Sequence, residues 1–182
     1  MDDVYVVETA STGTKGFPKD RVVEIGICRI PAGAMTFESV FAERIETDPR
    51  EIGKPALDRL ELMHGMDPQN LYFGIPEDEA VDRVRDMLVG KTCASFDIQE
   101  VFGKFLCFQP WNLTHEAELL PSIKSRFHPD LRFMETEGNP IRHLYDKVLP
   151  DDPASVGEGN RAYECACMSA ALFIHLRGQG LF

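Results

Sequence analysis

The stretch that decides the fold lies near the start of the chain and reads VYVVETASTG over residues 4–13, followed by RVVEIGICRI over residues 21–30. The first run begins as a β-branched segment and ends in a Ser-Thr-Gly turn. The second is dense in apolar side chains without helical periodicity, and a third run, over residues 35–45, follows a Pro-Ala-Gly-Ala turn. The sequence therefore predicts three strands in a meander.

The middle of the chain shows helical spacing instead. Apolar residues recur at helical intervals over residues 56–64 and 76–88, which predicts two helices packed on the surface of the fold. Residues 92–96 form a brief apolar run typical of a buried strand, and Asp97 follows at once, where it would cap a helix that ends near Leu106. An acidic residue between a strand and a helix stands at a favourable position for a functional site.

The C-terminal third is predicted to be mainly helical. We expect a helix over residues 116–127 that Pro121 interrupts, another over residues 141–149, and a final one over residues 161–176. The final helix has small residues on one face, which allows it to lie close to a sheet. That face consists of Ala162, Cys165, Ala166, Ser169, Ala170 and Phe173. Together these elements predict a single α/β domain over residues 1–182.

The composition is that of an ordinary globular protein and leaves the function open. With 182 residues, 43% of them hydrophobic and 27% charged, the chain is long enough for one domain with a proper core. Its net charge of -11 argues against a protein that binds duplex nucleic acid mainly by neutralising phosphates. It does not argue against a nuclease, because an enzyme that holds phosphates through divalent cations places carboxylates at its centre.

The cysteines and the first residues of the chain indicate the cellular compartment of the protein. Five cysteines are an odd number without framework spacing, which favours reduced thiols in the cytoplasm. The acidic start MDDVYVVETA has too short an apolar run for a signal peptide or a membrane span. We therefore expect a cytoplasmic protein with no membrane association.

Three motifs, taken in order, resemble those of the DEDD 3′-to-5′ exonuclease superfamily, the DnaQ-like and ribonuclease T-like group. The family's first motif, D-x-E-T-T-G with a following E-I-G, corresponds to ETASTG at residues 8–13 and EIG at residues 24–26. Its middle Asp corresponds to Asp97 in ASFDI, and its last motif, H-x-A-x-x-D-A, corresponds to NRAYECA at residues 160–166. The resemblance implies an α/β, ribonuclease H-like fold with a central mixed sheet of about five strands flanked by helices.

The resemblance also implies a set of site residues, from which this chain departs. The family uses four acids and a His to hold two divalent cations, Mg²⁺ or Mn²⁺, and to take a proton from water. Carried over by position, the remaining acids are Glu8 and Asp97, which become the candidate catalytic residues and metal ligands. Ala10 and Cys165 replace the other two acids, and Asn160 replaces the His.

These replacements weaken the expected chemistry in different ways. Ala10 offers no ligand, and a thiol at Cys165 binds magnesium or manganese poorly. Asn160 cannot hold a proton near neutral pH, and loss of a general base typically costs about 10²- to 10⁴-fold in rate. Glu8 is one methylene longer than Asp, which moves its oxygens by about a bond length against a catalytic tolerance of roughly 0.5 Å. The site is therefore predicted to be degenerate.

Further residues are candidates for contact with a substrate. The resemblance places Ser11, Thr12 and Gly13 of the first motif beside the substrate. His64, in a sequence similar to the family's His-Gly loop, either contacts a nucleotide base or packs that loop against the sheet. His143, on a predicted helix, is interpreted as part of a solvated polar face.

Three functions are open at this point. The leading hypothesis is an exonuclease-superfamily domain that is catalytically impaired or inactive and is retained as a binding module. Its partner would be single-stranded nucleic acid, a nucleotide, another protein or a second copy in a homodimer. The first alternative is an active 3′-to-5′ exonuclease that uses Mg²⁺ or Mn²⁺ at a reduced acidic site, Glu8 and Asp97. The second is a regulatory or structural subunit with no nucleic-acid role.

Overall fold

A mixed β-sheet forms the centre of the computed structural model, which describes residues 2–132, 139–152 and 161–182. Its strands within these ranges are β1 Val4–Ser11, β2 Val22–Ile30, β3 Glu38–Arg44, β4 Thr92–Ala94 and β5 Glu118–Leu119. Their order is β3-β2-β1-β4-β5, with antiparallel pairing from β3 to β1 and parallel pairing from β1 to β5. The predicted meander and the five-stranded mixed sheet are confirmed.

Helices cover both faces of this sheet. The α-helices are α1 Lys54–His64, α2 Glu77–Leu88, α3 Pro129–Arg132, α4 Pro140–Val148 and α5 Arg161–Gly178. A π helix spans Gln99–Leu106, and 3-10 helices span Pro49–Glu51, Pro68–Tyr72 and Ile123–Arg126. The predicted helices near α1, α2, α4 and α5 are confirmed. No helix in the described ranges is long and apolar enough to cross a membrane.

Burial on both faces explains why the helices are needed. Every residue of β2 except Arg29 is buried, so β2 requires a layer on each side. On one face, Val6 and Ile30 pack against α5 and α4. On the other face, Ile25 and Ile27 pack against α2 and the π helix. The sheet thus lies between two helical layers.

The start of α5 is fixed against β2 by two residues of the EIG motif. The buried Glu24 accepts the backbone N–H of Arg161 at 2.8 Å and forms an ion pair with Arg44 at 3.0 Å. At Gly26, an added Cβ would lie only 2.5 Å from Cα of Tyr163. A glycine is therefore required where α5 crosses the strand, and the close approach predicted from the small-residue face is confirmed.

The prediction of a helix over residues 116–127 is wrong. This segment instead contains β5 and the 3-10 helix Ile123–Arg126. The N–H of Leu120 donates to the carbonyl of Cys93 at 2.9 Å, which continues the parallel pairing of β5 with β4. Pro121 has no N–H to continue a helix, so pairing with the sheet edge prevails over local periodicity.

Candidate functional site

A cavity of about 330 Å³ lies near the carboxyl ends of the parallel strands β1 and β4. In open α/β sheets, this end of the strands is where ligands bind. The cavity wall includes Glu8 and Ser11 of β1, Asp97 after β4, and Cys165 of α5. The fold therefore brings together residues from all three motifs.

Glu8 is the most buried acid of the cavity, with 4% of its surface exposed. Its Oε1 accepts the N–H of Phe96 at 2.6 Å and the hydroxyls of Ser169 at 2.8 Å and Ser95 at 3.3 Å. Burial raises the pKa of Glu8 to about 7, although these hydrogen bonds oppose the shift. Glu8 thus links β1, β4 and α5, and much of it is uncharged near neutral pH.

Asp97 is paired with a cation of the protein itself. Lys124 Nζ forms an ion pair with Oδ2 of Asp97, and Oδ1 accepts the N–H of Gln99 at 3.2 Å. The backbone N–H of Lys124 donates to the carbonyl of Phe96 at 3.1 Å, so the lysine is fixed beside the strand that presents Asp97. The carboxylate charge that a metal would need is already compensated.

The two positions that the motif resemblance assigns to the other acids carry groups of a different kind. Cys165 lines the cavity, and its thiol accepts a hydrogen bond from Asn139 Nδ2 at 3.3 Å. Burial raises the pKa of this thiol to about 12, so it stays protonated and is a poor metal ligand. Ala10 is buried in an apolar cluster with Leu60 and Met66. Asn160, the predicted replacement of the catalytic His, lies outside the described residues.

This donor set does not fit a pair of Mg²⁺ or Mn²⁺ ions. Such ions prefer several charged oxygen ligands. Here Glu8 is buried, hydrogen-bonded and, with a pKa of about 7, only partly ionised, Asp97 is held by Lys124, and Cys165 offers a neutral thiol. In the part of the chain that the structure describes, no group of three His, Cys, Asp or Glu side chains is arranged to hold a metal ion.

The residues predicted to contact a substrate are only partly brought to the cavity. Ser11 and Gly13 line it, and the Ser11 hydroxyl donates to the carbonyl of Gly13 at 2.8 Å. Thr12 is buried, and its hydroxyl accepts the N–H of Arg21 at 3.1 Å, so it shapes the loop. His64 ends α1, and its side chain lies outside the described part of the structure.

Sequence reasoning missed the basic side of the cavity. Arg59, Lys124, His143 and Arg161 all line it. His143, interpreted from the sequence as part of a solvated polar face, is half-buried and lines the cavity. The four residues come from four separate segments and share no local motif, so only the folded chain brings them together.

Solved structures with a similar fold are 3′-exonucleases. A 3′-exonuclease that recognises the histone mRNA stem-loop matches with a TM-score of 0.66 and 12% identity, over 99% of this chain and 83% of that one. E. coli exonuclease I, in a zinc-bound complex with single-stranded DNA, matches with a TM-score of 0.68 and 11% identity, over 98% of this chain and 41% of that one. Cell-death related nuclease 4 matches with a TM-score of 0.63 and 10% identity, over 99% of this chain and 65% of that one.

These similarities establish the fold. The chain has the α/β, ribonuclease H-like fold of the DEDD-type 3′-to-5′ exonucleases, as its motifs predicted. It spans about two fifths of exonuclease I and 83% of the histone mRNA exonuclease. No protein-family model matches the sequence, and no curated protein matches it. At 10–12% identity, the activity of the neighbours does not transfer to this chain.

Proposed function

We propose that this chain is an exonuclease-fold domain that binds the 3′ end of single-stranded nucleic acid in its cavity without hydrolysing it. The observation that carries the proposal is the ion pair between Lys124 and Asp97. Asp97 is the one Asp that remains at the positions of the family's four acids, and in this ion pair its charge is balanced by a lysine of the protein itself. If the Lys124 ammonium takes the place of a metal ion, the site still has a positive charge that attracts phosphate. It no longer has a metal ion that could activate water.

The absence of hydrolysis follows from what the remaining groups can do. Activation of water needs a metal ion or a general base within hydrogen-bond reach. Glu8 Oε1 is engaged by Phe96 and Ser169, and Asp97 is engaged by Lys124. Asp97 is therefore not a free ligand or base, and Glu8 is the one carboxyl that is still partly ionised near neutral pH. Among the described residues, no set of three ligands is left to hold a metal-bound water beside it.

The binding half of the proposal is supported by the cavity and by the structural neighbours. A volume of about 330 Å³ lies at the lower end of the range of small-molecule sites, roughly 300 to 1,000 Å³, and suits one nucleotide unit. Two of the neighbours are described with nucleic acid, a histone mRNA stem-loop and single-stranded DNA. The cavity of this chain lies near the carboxyl ends of β1 and β4, where open α/β sheets bind ligands.

The test measures binding and cleavage on the same strand. A single-stranded decamer labelled at its 5′ end, as DNA and as RNA, is incubated with the full chain and Mg²⁺ or Mn²⁺, and both its length and its fluorescence anisotropy are followed. We expect the anisotropy to rise while the strand keeps its length. Shortening that disappears in Asp97→Asn would establish a working exonuclease instead. No rise in anisotropy for either strand would leave the protein-binding or structural role.

A further inference from the structure

Three cationic side chains reach the cavity from different parts of the fold. Lys124 comes from the 3-10 helix Ile123–Arg126, Arg59 from α1, and Arg161 from the first turn of α5. Each belongs to an element that is fixed to the sheet or to its covering layer. Their meeting at one cavity is therefore a property of the fold and not of a flexible tail.

Lys124 retains donors for a ligand while it is bound to Asp97. An ammonium group has three N–H donors, and the ion pair with Asp97 uses one of them. The Lys124 side chain is 42% exposed, whereas that of Asp97 is 19% exposed. The lysine is therefore the member of the pair that is more accessible to a molecule in the cavity.

Arg59 has a buried hydrogen-bond donor that is not satisfied by the part of the protein that the structure describes. Its Nε is buried and has no hydrogen-bond partner among the described residues, although the residue lines the cavity. Leaving a buried donor unsatisfied costs about 1 to 3 kcal/mol, and more for a charged group. Because Arg59 also lines the cavity, a ligand bound there is in a position to satisfy this donor.

The acids around these cations are already occupied. Glu8 accepts three hydrogen bonds at one oxygen, and Asp97 is paired with Lys124. Glu100, which also lines the cavity, forms an ion pair with Lys104 at 2.5 Å.

Arg161 contacts Glu164 at 3.6 Å, an acid that Arg142 also contacts at 3.6 Å. Arg59 has no acidic partner among the described residues, so its charge is the one most available to a ligand, in a protein whose overall charge is -11.

We propose that Lys124, Arg59 and Arg161 bind the phosphate of a nucleotide directly, with Lys124 taking the part that a divalent cation takes in a metal-dependent nuclease. The inference rests on the same cavity as the proposed function and names its ligand chemistry, a phosphate ester. Binding is then independent of Mg²⁺ and Mn²⁺. Lysine as a point charge and arginine as a planar fork are both common phosphate ligands.

The experiment titrates thymidine 5′-monophosphate into the full chain in EDTA, with binding followed by NMR chemical shifts, and repeats it with Mg²⁺. We expect equal affinity in both, no binding of thymidine, and competition by inorganic phosphate. Lys124→Gln and Arg59→Met should each weaken binding about 10- to 100-fold, the loss expected for one charge-assisted contact. Lys54→Gln, which removes an exposed lysine of α1 outside the cavity, is the matched control and should bind as the wild type does.

Two variants separate this site from a metal site and from loss of folding. Asp97→Asn removes the charge that opposes Lys124, so it should strengthen nucleotide binding several-fold, whereas a metal-dependent site would lose its ligand. Arg59→Met should keep or raise the melting temperature, since it removes an unsatisfied buried donor. Binding that requires Mg²⁺ and is lost in Asp97→Asn would overturn the inference.

The two proposals fail in different ways. If the mononucleotide does not bind in EDTA but the decamer does, the direct phosphate site is wrong and the strand-binding function stands. If the mononucleotide binds with the expected variant pattern but the decamer binds no better and without use of its 3′ end, the phosphate site stands and the strand-end function is wrong.

Discussion

At position 8 this chain has a Glu, which is one methylene longer than the Asp of the family pattern. In the family pattern this position carries an Asp, and here Glu8 reaches the N–H of Phe96 and the hydroxyl of Ser169. The longer side chain thereby ties β1 to β4 and to α5. A group that was a metal ligand in the pattern acts here as a buried hydrogen-bond acceptor.

The raised pKa of Glu8 makes a prediction about stability and pH. Burial raises this pKa from its ordinary value of 4.5 to about 7, so the folded state binds the proton more tightly than the unfolded state does. The stabilisation is complete below pH 4.5 and is lost as the pH rises to about 7, a change of roughly 3 kcal/mol. Glu8→Gln stays neutral, so it should match the wild type at pH 5 and exceed its stability at pH 8.

Urea unfolding at pH 5 and pH 8 measures this difference. The control is Glu61→Gln, which changes an exposed glutamate of α1 and should leave the pH dependence as in the wild type. If the free energies of unfolding of Glu8→Gln and the wild type differ by the same amount at both pH values, Glu8 stays ionised in the folded protein.

Ala10 allows a test of whether restoring one acid restores a metal site. Ala10 is buried against Leu60 and Met66, so Ala10→Glu places a carboxylate in an apolar cluster and should cost about 3 kcal/mol at pH 8. Ala10→Gln has the same shape without the charge and should cost less. Neither variant should gain a rise in melting temperature with Mn²⁺, because Lys124 still holds Asp97. A Mn²⁺-dependent rise confined to Ala10→Glu would contradict the picture of a site blocked by its own cation.

At the scale of elements, the contact between α5 and β2 positions the cavity wall. Cys165 and Arg161 reach the cavity only because α5 lies directly on β2 at Gly26. Glu24, two residues earlier, accepts the N–H of Arg161 and so fixes where the helix begins. One short motif thus sets both the distance and the register of the last helix.

Gly26→Ala should therefore disrupt this contact. Its Cβ would lie 2.5 Å from Tyr163 Cα and 2.6 Å from the backbone of Ala162, so α5 would have to move, at a cost of about 3 kcal/mol or more. Gly178→Ala, at the other end of α5, is the control, since its Cβ would meet Cε of Met35 at an ordinary 3.5 Å. Thermal unfolding measures the stability of both variants. A Gly26→Ala protein as stable as Gly178→Ala would show that α5 does not need this close approach.

The sequence predicted the elements that carry a strong local period or motif. The apolar density of β1 and β2, the small-residue face of α5 and the position of Asp97 all depend on residues that are neighbours in the chain. Residues 116–127 were predicted as a helix because their local spacing fits one, whereas the edge of β4 makes them a strand and a 3-10 helix. Non-local pairing of this kind leaves little trace in a local pattern.

The same reason explains why the cation of the site was missed. Lys124 stands beside Asp97 because the chain after β5 pairs with the backbone of Ser95 and Phe96. Nothing in the residues around position 124 indicates that partner. The motif resemblance indicates where this sequence departs from the family's acids, whereas the lysine beside Asp97 depends on pairing at the parallel edge of the sheet.

At the scale of the whole molecule, the chain is acidic overall, but three of its basic side chains lie at one cavity. The chain carries 30 acidic and 19 basic residues, yet Arg59, Lys124 and Arg161 meet at one cavity. An acidic surface repels a long phosphate backbone, while the cavity attracts its end. Binding should therefore be confined to the few phosphates that enter the cavity.

This distribution of charge predicts how affinity depends on salt and strand length. If the one or two phosphates next to a terminal nucleotide are neutralised, the slope of log K against log salt concentration should be about −1 for a single strand, since each phosphate contributes roughly −0.7. Lengthening a DNA strand from four to twenty nucleotides should leave both slope and affinity nearly unchanged, and Lys124→Gln should make the slope shallower by about 0.7. Anisotropy titrations between low and moderate salt measure these values, with Lys54→Gln as the charge-matched control. A slope that steepens with strand length would place the binding surface outside the cavity, because only an extended basic track gains phosphate contacts as the strand grows.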